Sequence, residues 1–184
     1  MDVRLPRHGR GATLIEIAIA IAIVALMIML GLPSFREWIQ NSQIRTAAES
    51  VSSGLQTARN EAVRRNANVQ FTLTAPGAVG GTGWQIALVN TGEVLQSAPG
   101  GEGSGNVTIA PTPVDAVAIT FNGYGRTPAN GLNTDGSSLL TQLDFDSTAI
   151  DAADTRELRI VVTTGGQIRM CDPAVTSDGD TRKC

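Results

Sequence analysis

Histidine occurs once in this 184-residue sequence, tyrosine once and cysteine twice, and aromatic residues make up only 4% of it. The lone imidazole, His8, lies among the first eleven residues, so the rest of the chain has none to build a Ser/His/Asp or Cys/His nucleophilic site. Two late cysteines without a histidine cannot give the four nitrogen and sulfur ligands of a structural zinc site. No Cys-x-x-Cys occurs, and no glycine-rich phosphate loop follows a strand and opens a helix. These absences predict no enzyme, no cofactor and no metal site. Basic residues are also in the minority: the net charge is −3, so contact with a polyanion has to come from a local patch.

What the sequence does have is a long hydrophobic run. Residues 17–32 contain no charged side chain, and from Ala12 to Leu32 the run covers about 21 residues, a helix of roughly 30 Å, which matches the apolar thickness of a bilayer. Arg4, Arg7 and Arg10 precede it and predict that everything after Leu32 lies outside the cytoplasm. Removing the first eleven residues removes net positive charge and leaves the remainder more acidic than the whole. One residue interrupts the run. Glu16 places a carboxylate about one turn inside it, at a cost on the order of 2.5–3.5 kcal/mol in a membrane, and such a residue is a functional candidate.

Three readings of the run compete. A secretory signal peptide needs a small-residue cleavage site after the apolar core, yet the only Ala-x-Ala triplets, within Ala18–Ala22, lie inside it. A plain signal anchor explains neither Glu16 nor the Gly11 junction. The third reading rests on a resemblance. A basic segment, Gly11, then Ala12-Thr13-Leu14-Ile15-Glu16, an apolar helix and Pro33 just past it resemble a type IV prepilin leader. The resemblance implies that prepilin peptidase cuts between Gly11 and Ala12 and methylates the new amine of Ala12, although the family most often carries Phe or Met there. It further implies that Glu16 guides assembly. Glu16 sits four residues from Ala12 on one helix face, and a neighbouring subunit's amine would neutralise it and set the axial register.

Beyond Leu32 an apolar stripe continues as Phe35, Trp38, Ile39, Ala47, Ala48, Val51, Leu55, Ala58, Ala62 and Val63, opposite Glu37, Arg45, Glu49, Arg59, Glu61, Arg64 and Arg65. Gly31 and Pro33 predict a kink or local melting, or a fresh helix capped by Ser34. After Asn66 the period changes to two. Strands are expected around Val69–Leu73, Trp84–Val89, Glu93–Gln96, Val107–Ala110, Val117–Phe121, Leu139–Phe145, Leu158–Val162 and Gln167–Met170. Pro111 and Pro113 read as breaks, and the glycine-rich segments 76–83 and 99–106 as surface or flexible loops. The organisation expected is residues 1–11 as leader, 12–33 as transmembrane or filament-core helix, 34–66 as amphipathic helix and 67–184 as a β-domain.

Cys171 and Cys184 lie close in sequence, and in an oxidising compartment two such cysteines pair; two free thiols are the alternative. Asp144, Asp146, Asp151 and Asp154, and further on Asp178 and Asp180, form acidic clusters that would suit calcium, but neither has the spacing of an EF-hand loop and both read as solvated turns.

The succession AAESVSSGLQTARNEAVRRN, GWQIALVN, ITFNGYGR and RELRIVVTTGGQIRMC, in that order, resembles the GspH/FimT family of type IV minor pilins and type II secretion pseudopilins. The resemblance implies an α+β fold, type IV pilin-like, with a long N-terminal helix packed on a small, mainly antiparallel β-domain. It also implies a single-pass protein of the bacterial inner membrane with its C-terminal domain in the periplasm. Its partners would be other pilins or pseudopilins, prepilin peptidase and an inner-membrane assembly platform. The function implied is a subunit that assembles into or primes a type IV pilus or a type II secretion filament. The alternative is a DNA-binding minor pilin of a competence pilus. Some FimT-like members bind DNA through a C-terminal Gly-Arg-x-Arg motif, and here the matching residues are Gly166, Gln167, Ile168 and Arg169, so one arginine is missing. Arg169, Arg182 and Lys183 would form the DNA-contacting patch, against Asp172, Asp178 and Asp180. A bland reading of Arg169 is a strand residue paired with a carboxylate, and of Arg126 a turn residue.

Overall fold

The structure is a computed structural model and describes residues 13–184. Residues 13–36 and the residues from Glu37 onward belong to two separate compact units. A single helix, α1, runs over Leu14–Arg65. Its first part, within the first unit, is apolar around its whole circumference. Ile17, Ile19, Ile21, Ile23, Leu26 and Met29 are all about half exposed or more, and the segment is long and apolar enough to cross a membrane. The helical assignment is unbroken at Gly31 and Pro33, which corrects the expected melting and the separate helix capped by Ser34. Pro33 removes one hydrogen bond from the ladder without ending it.

In the second unit, Ile44, Ala47, Ala48, Val51, Leu55, Ala58 and Ala62 of α1 are buried at helical spacing. Four members of the expected stripe are not part of the buried set: Ile39 is only half-buried, and Phe35, Trp38 and Val63 are more than half exposed. Val63 follows the buried Ala62 and is therefore turned about 100° off the stripe. Ile44 belongs to the stripe and escapes the sequence reading because polar neighbours surround it. The helix closes with Asn66 in the left-handed region at φ 48°; the Ala67 amide donates to Ala62 O (3.1 Å) and the Asn66 amide to Val63 O (3.3 Å), a Schellman-type end. Arg64 and Arg65 both pair with Glu61, at 2.6 and 2.8 Å, and hold its carboxyl below the usual range.

Eight strands follow, in two four-stranded sheets. Strands β1 (Val69–Leu73), β2 (Trp84–Leu88), β3 (Val94–Ala98) and β5 (Ala118–Phe121) form one sheet in the order β3-β2-β1-β5. Strands β4 (Val107–Thr112), β6 (Gln142–Ser147), β7 (Leu158–Val162) and β8 (Ile168–Cys171) form the other in the order β4-β6-β7-β8. All strand pairs are antiparallel. Strands β1, β2 and β6 alternate buried and half-buried residues, as expected for a sheet with one face on the core. Pro111 lies inside β4 rather than breaking it; β4 is an edge strand, where a missing amide costs the ladder nothing. Strand β6 starts at Gln142, after the buried Leu139 and Leu140.

Segments 76–83 and 99–106 are not simply flexible. Gly81, Thr82 and Gly83 are buried, and so is Ser104, whose Oγ lies 2.8 Å from Thr82 Oγ1. The Gly101 amide donates to Thr82 Oγ1 (3.0 Å), and the amides of Gly77 and Gly80 donate to Ile109 O and Val107 O, covering the free edge of β4. The glycines are needed because the two segments meet backbone to backbone, and a Cβ on Gly100 would stand 2.7 Å from Gly80 O.

Helix and sheet approach closely at Gly54, over Phe71 and Trp84, whose rings stack with centroids 5.7 Å apart. A Cβ on Gly54 would lie 2.9 Å from both rings. Mid-helix Gly→Ala alone gains about 1 kcal/mol of propensity, whereas overpacking a core costs about 1–3 kcal/mol. Gly54→Ala is therefore expected to destabilise the chain by roughly 1 kcal/mol net. Urea denaturation followed by Trp84 fluorescence measures this, and a stabilised variant would contradict the packing.

Candidate functional site

Two groups of residues carry the chemistry singled out in the sequence, and they lie at opposite ends of the chain. At the N-terminal one, Gly11 and Ala12 lie outside the described residues. Glu16 is described, and its surroundings show a role that the membrane argument passes over. The Glu16 amide lies 3.3 Å from Thr13 Oγ1, and the Thr13 amide reaches Glu16 Oε2 at 3.5 Å. This reciprocal pair is a capping box, and its Thr-x-x-Glu spacing is plain in the sequence. The carboxylate is thus turned back toward the start of the helix, the positive end of its dipole. Its bond to the Thr13 amide is long, which leaves the carboxylate able to take a better donor.

At the C-terminal end the chain closes on itself. Cys171 and Cys184 are joined by a disulfide, with Cα atoms 5.1 Å apart. The Asp172 amide donates to Arg182 O (2.7 Å), and Asp172 bridges to Lys183 in parallel fashion, so the closing segment runs beside the end of β8. Arg169, Arg182 and Lys183 are brought together as expected, but each is already engaged. Arg169 donates through Nη2 to the main-chain oxygens of Lys183 (2.7 Å) and Cys184 (2.9 Å). Arg182 forms a two-point pair with Asp180, at 2.7 and 3.1 Å, and Lys183 pairs with Asp178. The Arg182 guanidinium and amide together hold the Asp180 carboxyl down to about 2.

Gly166, the motif glycine, has a structural task. It is buried with φ +77°, and a Cβ there would run into Gly125 O. That same carbonyl accepts from Arg59 Nε (3.1 Å), so one point joins α1, the turn after β5 and the turn between β7 and β8. Gln167 is exposed beside it.

The first acidic cluster is dispersed. Asp144 faces Arg159 across the β6–β7 pair and binds it at 2.5 Å, while also accepting from Gln142 Nε2. Asp146 accepts from the Ser147 amide. Among the described residues no group of three or more His, Cys, Asp or Glu side chains stands where it could hold a metal ion.

Comparison with known proteins adds three findings. Residues 47–166 match the family model of the type II transport protein GspH. In fold, the chain is similar to the type IV minor pilin FimU of Pseudomonas aeruginosa in one crystal form, with a TM-score of 0.53 and 18% identity over 73% of this chain and 95% of that one. A second crystal form of FimU gives a TM-score of 0.51 at 18% identity, over 72% of this chain and 99% of that one. A search of curated proteins found no match.

Two measurements check this geometry. The Asp180 carboxyl is depressed in the folded state, so its pairing contributes stability above the ordinary carboxylate pKa and loses it as pH falls toward about 2. Carboxyl NMR titration should place the Asp180 midpoint near that value and raise it part of the way toward the usual range in Arg182→Gln, which removes the guanidinium and keeps the amide. Opening the disulfide ring with Cys171→Ser should cost about 3 kcal/mol in denaturant melts, on the loop-entropy estimate for a ring of this size. It should also make the segment after β8 the first site of proteolysis.

Proposed function

Because the chain belongs to the family of the type II transport protein GspH, whose members are pilin-like structural subunits, we propose that it is a minor pilin or pseudopilin, cut after Gly11 and anchored by the first part of α1 in the bacterial inner membrane. The β-domain then faces the periplasm, and prepilin peptidase, an inner-membrane assembly platform and other pilins or pseudopilins are its partners. The observation that carries this reading is a single carboxylate, Glu16, at the start of a helix whose next sixteen residues bear no charge and expose apolar side chains on all sides.

The proposed mechanism is assembly, not catalysis. Arg4, Arg7 and Arg10 keep the leader on the cytoplasmic side. Hydrolysis of the Gly11–Ala12 bond frees the α-amine of Ala12, which is methylated. In a lone subunit the Glu16 carboxylate is satisfied weakly, by the Thr13 amide at 3.5 Å. A neighbour's ammonium offers a shorter, charge-assisted bond, roughly twice as strong as a neutral one. Exchanging the internal cap for that ion pair favours docking and fixes the axial position of the incoming subunit. The hydrophobic remainder of the helix then fills the filament core.

The DNA-receptor alternative has less to support it. Arg169, Arg182 and Lys183 are engaged by two backbone oxygens, Asp180 and Asp178, so the patch has little net charge with which to release counterions.

Glu16→Ala should leave cleavage intact and reduce the chain's recovery in sheared filaments or pseudopili at least tenfold. Glu16→Gln should fall nearly as far, because an amide keeps the shape and loses the ion pair. Equal incorporation of wild type and both variants would refute the register role.

A further inference from the structure

Asparagine followed by glycine occurs twice in the chain, at Asn122-Gly123 and Asn130-Gly131. Glycine has no Cβ, so its amide nitrogen can approach the side-chain Cγ of the residue before it, and attack there closes a five-membered imide. Neither glycine amide donates a hydrogen bond among the described residues, so the two steps differ in how each asparagine is held. Asn122 is half-buried and fixed. Its Oδ1 accepts from the amides of Tyr124 (3.0 Å) and Arg126 (3.1 Å), its own amide donates to Arg126 O (2.9 Å), and its carbonyl accepts from the Gly125 amide (2.8 Å). Gly123 is pressed on the end of α1, where a Cβ would run into Asn66 Oδ1.

Asn130 is exposed, and so is Gly131, with nothing within 4 Å of a Cβ built on it. One bond holds the Asn130 side chain, from the Leu132 amide to Oδ1 at 3.3 Å. Turning Cγ toward the Gly131 nitrogen breaks that one bond in open solvent. The same movement at Asn122 breaks two and works against a turn closed by two more. Each such bond is worth about 1 kcal/mol net, so the turn at Asn122 opens far less often. The segment after Asn130 is also tied to the domain. Gly131 O accepts from the Leu139 amide (2.9 Å), Leu132 bridges to Ser138, and the buried Asn133 donates through Nδ2 to Ala118 O (3.0 Å) of β5.

We propose that Asn130 is a site of spontaneous deamidation in the folded protein, that Asn122 is protected from it by its turn, and that the reaction loosens residues 131–138. The Gly131 nitrogen forms a bond to Asn130 Cγ, the Cγ–Nδ2 bond breaks, and Nδ2 leaves as ammonia with the proton lost from the Gly131 amide. Water, the one co-reactant, then opens the imide. Opening at Cγ gives aspartate. Opening at the Asn130 main-chain carbonyl gives isoaspartate, in which the backbone runs through the side chain, gains one carbon and carries Gly131 O away from the Leu139 amide. None of this depends on assembly. The full chain is aged in detergent at mildly alkaline pH, once folded and once in denaturant, and its peptides are followed by mass spectrometry. In the folded chain the Asn130 peptide should gain the mass of an amide-to-acid change at least tenfold faster than the Asn122 peptide. In denaturant the two should react at similar rates, because the fold is what separates them. Asn130→Gln, whose longer side chain closes no five-membered ring, should abolish the fast gain. Aged wild type should be cut by protease within 131–138 sooner than fresh wild type or aged Asn130→Gln. No gain at Asn130, a gain at Asn122 as fast or faster in the folded chain, or the same difference between the two sites in denaturant would overturn the assignment. An aged chain cut no sooner than a fresh one would overturn the loosening.

Discussion

The β-domain depends on how closely the helix can approach its sheets. Ala47, Ala48, Ala58, Ala62 and Gly54 keep the buried face of α1 low, and the stacked pair Phe71 and Trp84 occupies the space that a larger residue at position 54 would take. Trp84 then reaches Ser50 Oγ with its indole nitrogen at 3.1 Å, so the same ring is packed and hydrogen-bonded to one helix. Once the helix lies there, its amides reach the loops. Gln43 accepts from the Asn106 amide, Gln40 from Ser147 Oγ, and Asn41 binds both Asp154 O and the Arg156 amide. Polar latches of this kind fix loop positions more than they add stability, since each is worth about 1 kcal/mol net.

A second join, at the opposite end of the helical stripe, gathers Arg59, Gly125 and Gly166. It accounts for two glycines that family resemblance alone would assign to a DNA-contacting motif and to an ordinary turn. With the backbone of Gly166 pressed on the Gly125 carbonyl, the motif position keeps its glycine for packing, whether or not an arginine follows. The functional and structural demands on that turn are therefore separable, and Gln167 shows one of them without the other.

Much of this was legible along the chain. The helical stripe from Ala47 to Ala62, the alternation at Val69, Phe71 and Leu73, and the hairpin through Asn90-Thr91-Gly92 are local patterns, and the strands fall where those patterns place them. What stayed hidden depends on contacts between distant residues. Nothing near Pro111 says that β4 is an edge, nothing in GGTG or PGGEGSG says that the two segments pack on each other, and nothing around Arg169 says that its guanidinium meets the backbone of Lys183. The capping box of Thr13 and Glu16 is a different case: its Thr-x-x-Glu spacing is local and visible, while the membrane cost of a carboxylate points to an intermolecular partner. The two roles are compatible, because a weak internal cap is what a carboxylate needs before a stronger donor arrives.

The most direct test of the account is the N-terminus of the chain as it exists in the cell envelope. Mass spectrometry of the membrane-extracted protein should find an N-terminal peptide that begins at Ala12, with the mass of a methylated amine, in a fraction that also contains the other filament subunits. A chain that still carries Met1 to Gly11, or one cut after the apolar segment, would have no free amine beside Glu16 or no anchor at all, and either result would contradict assembly as its function.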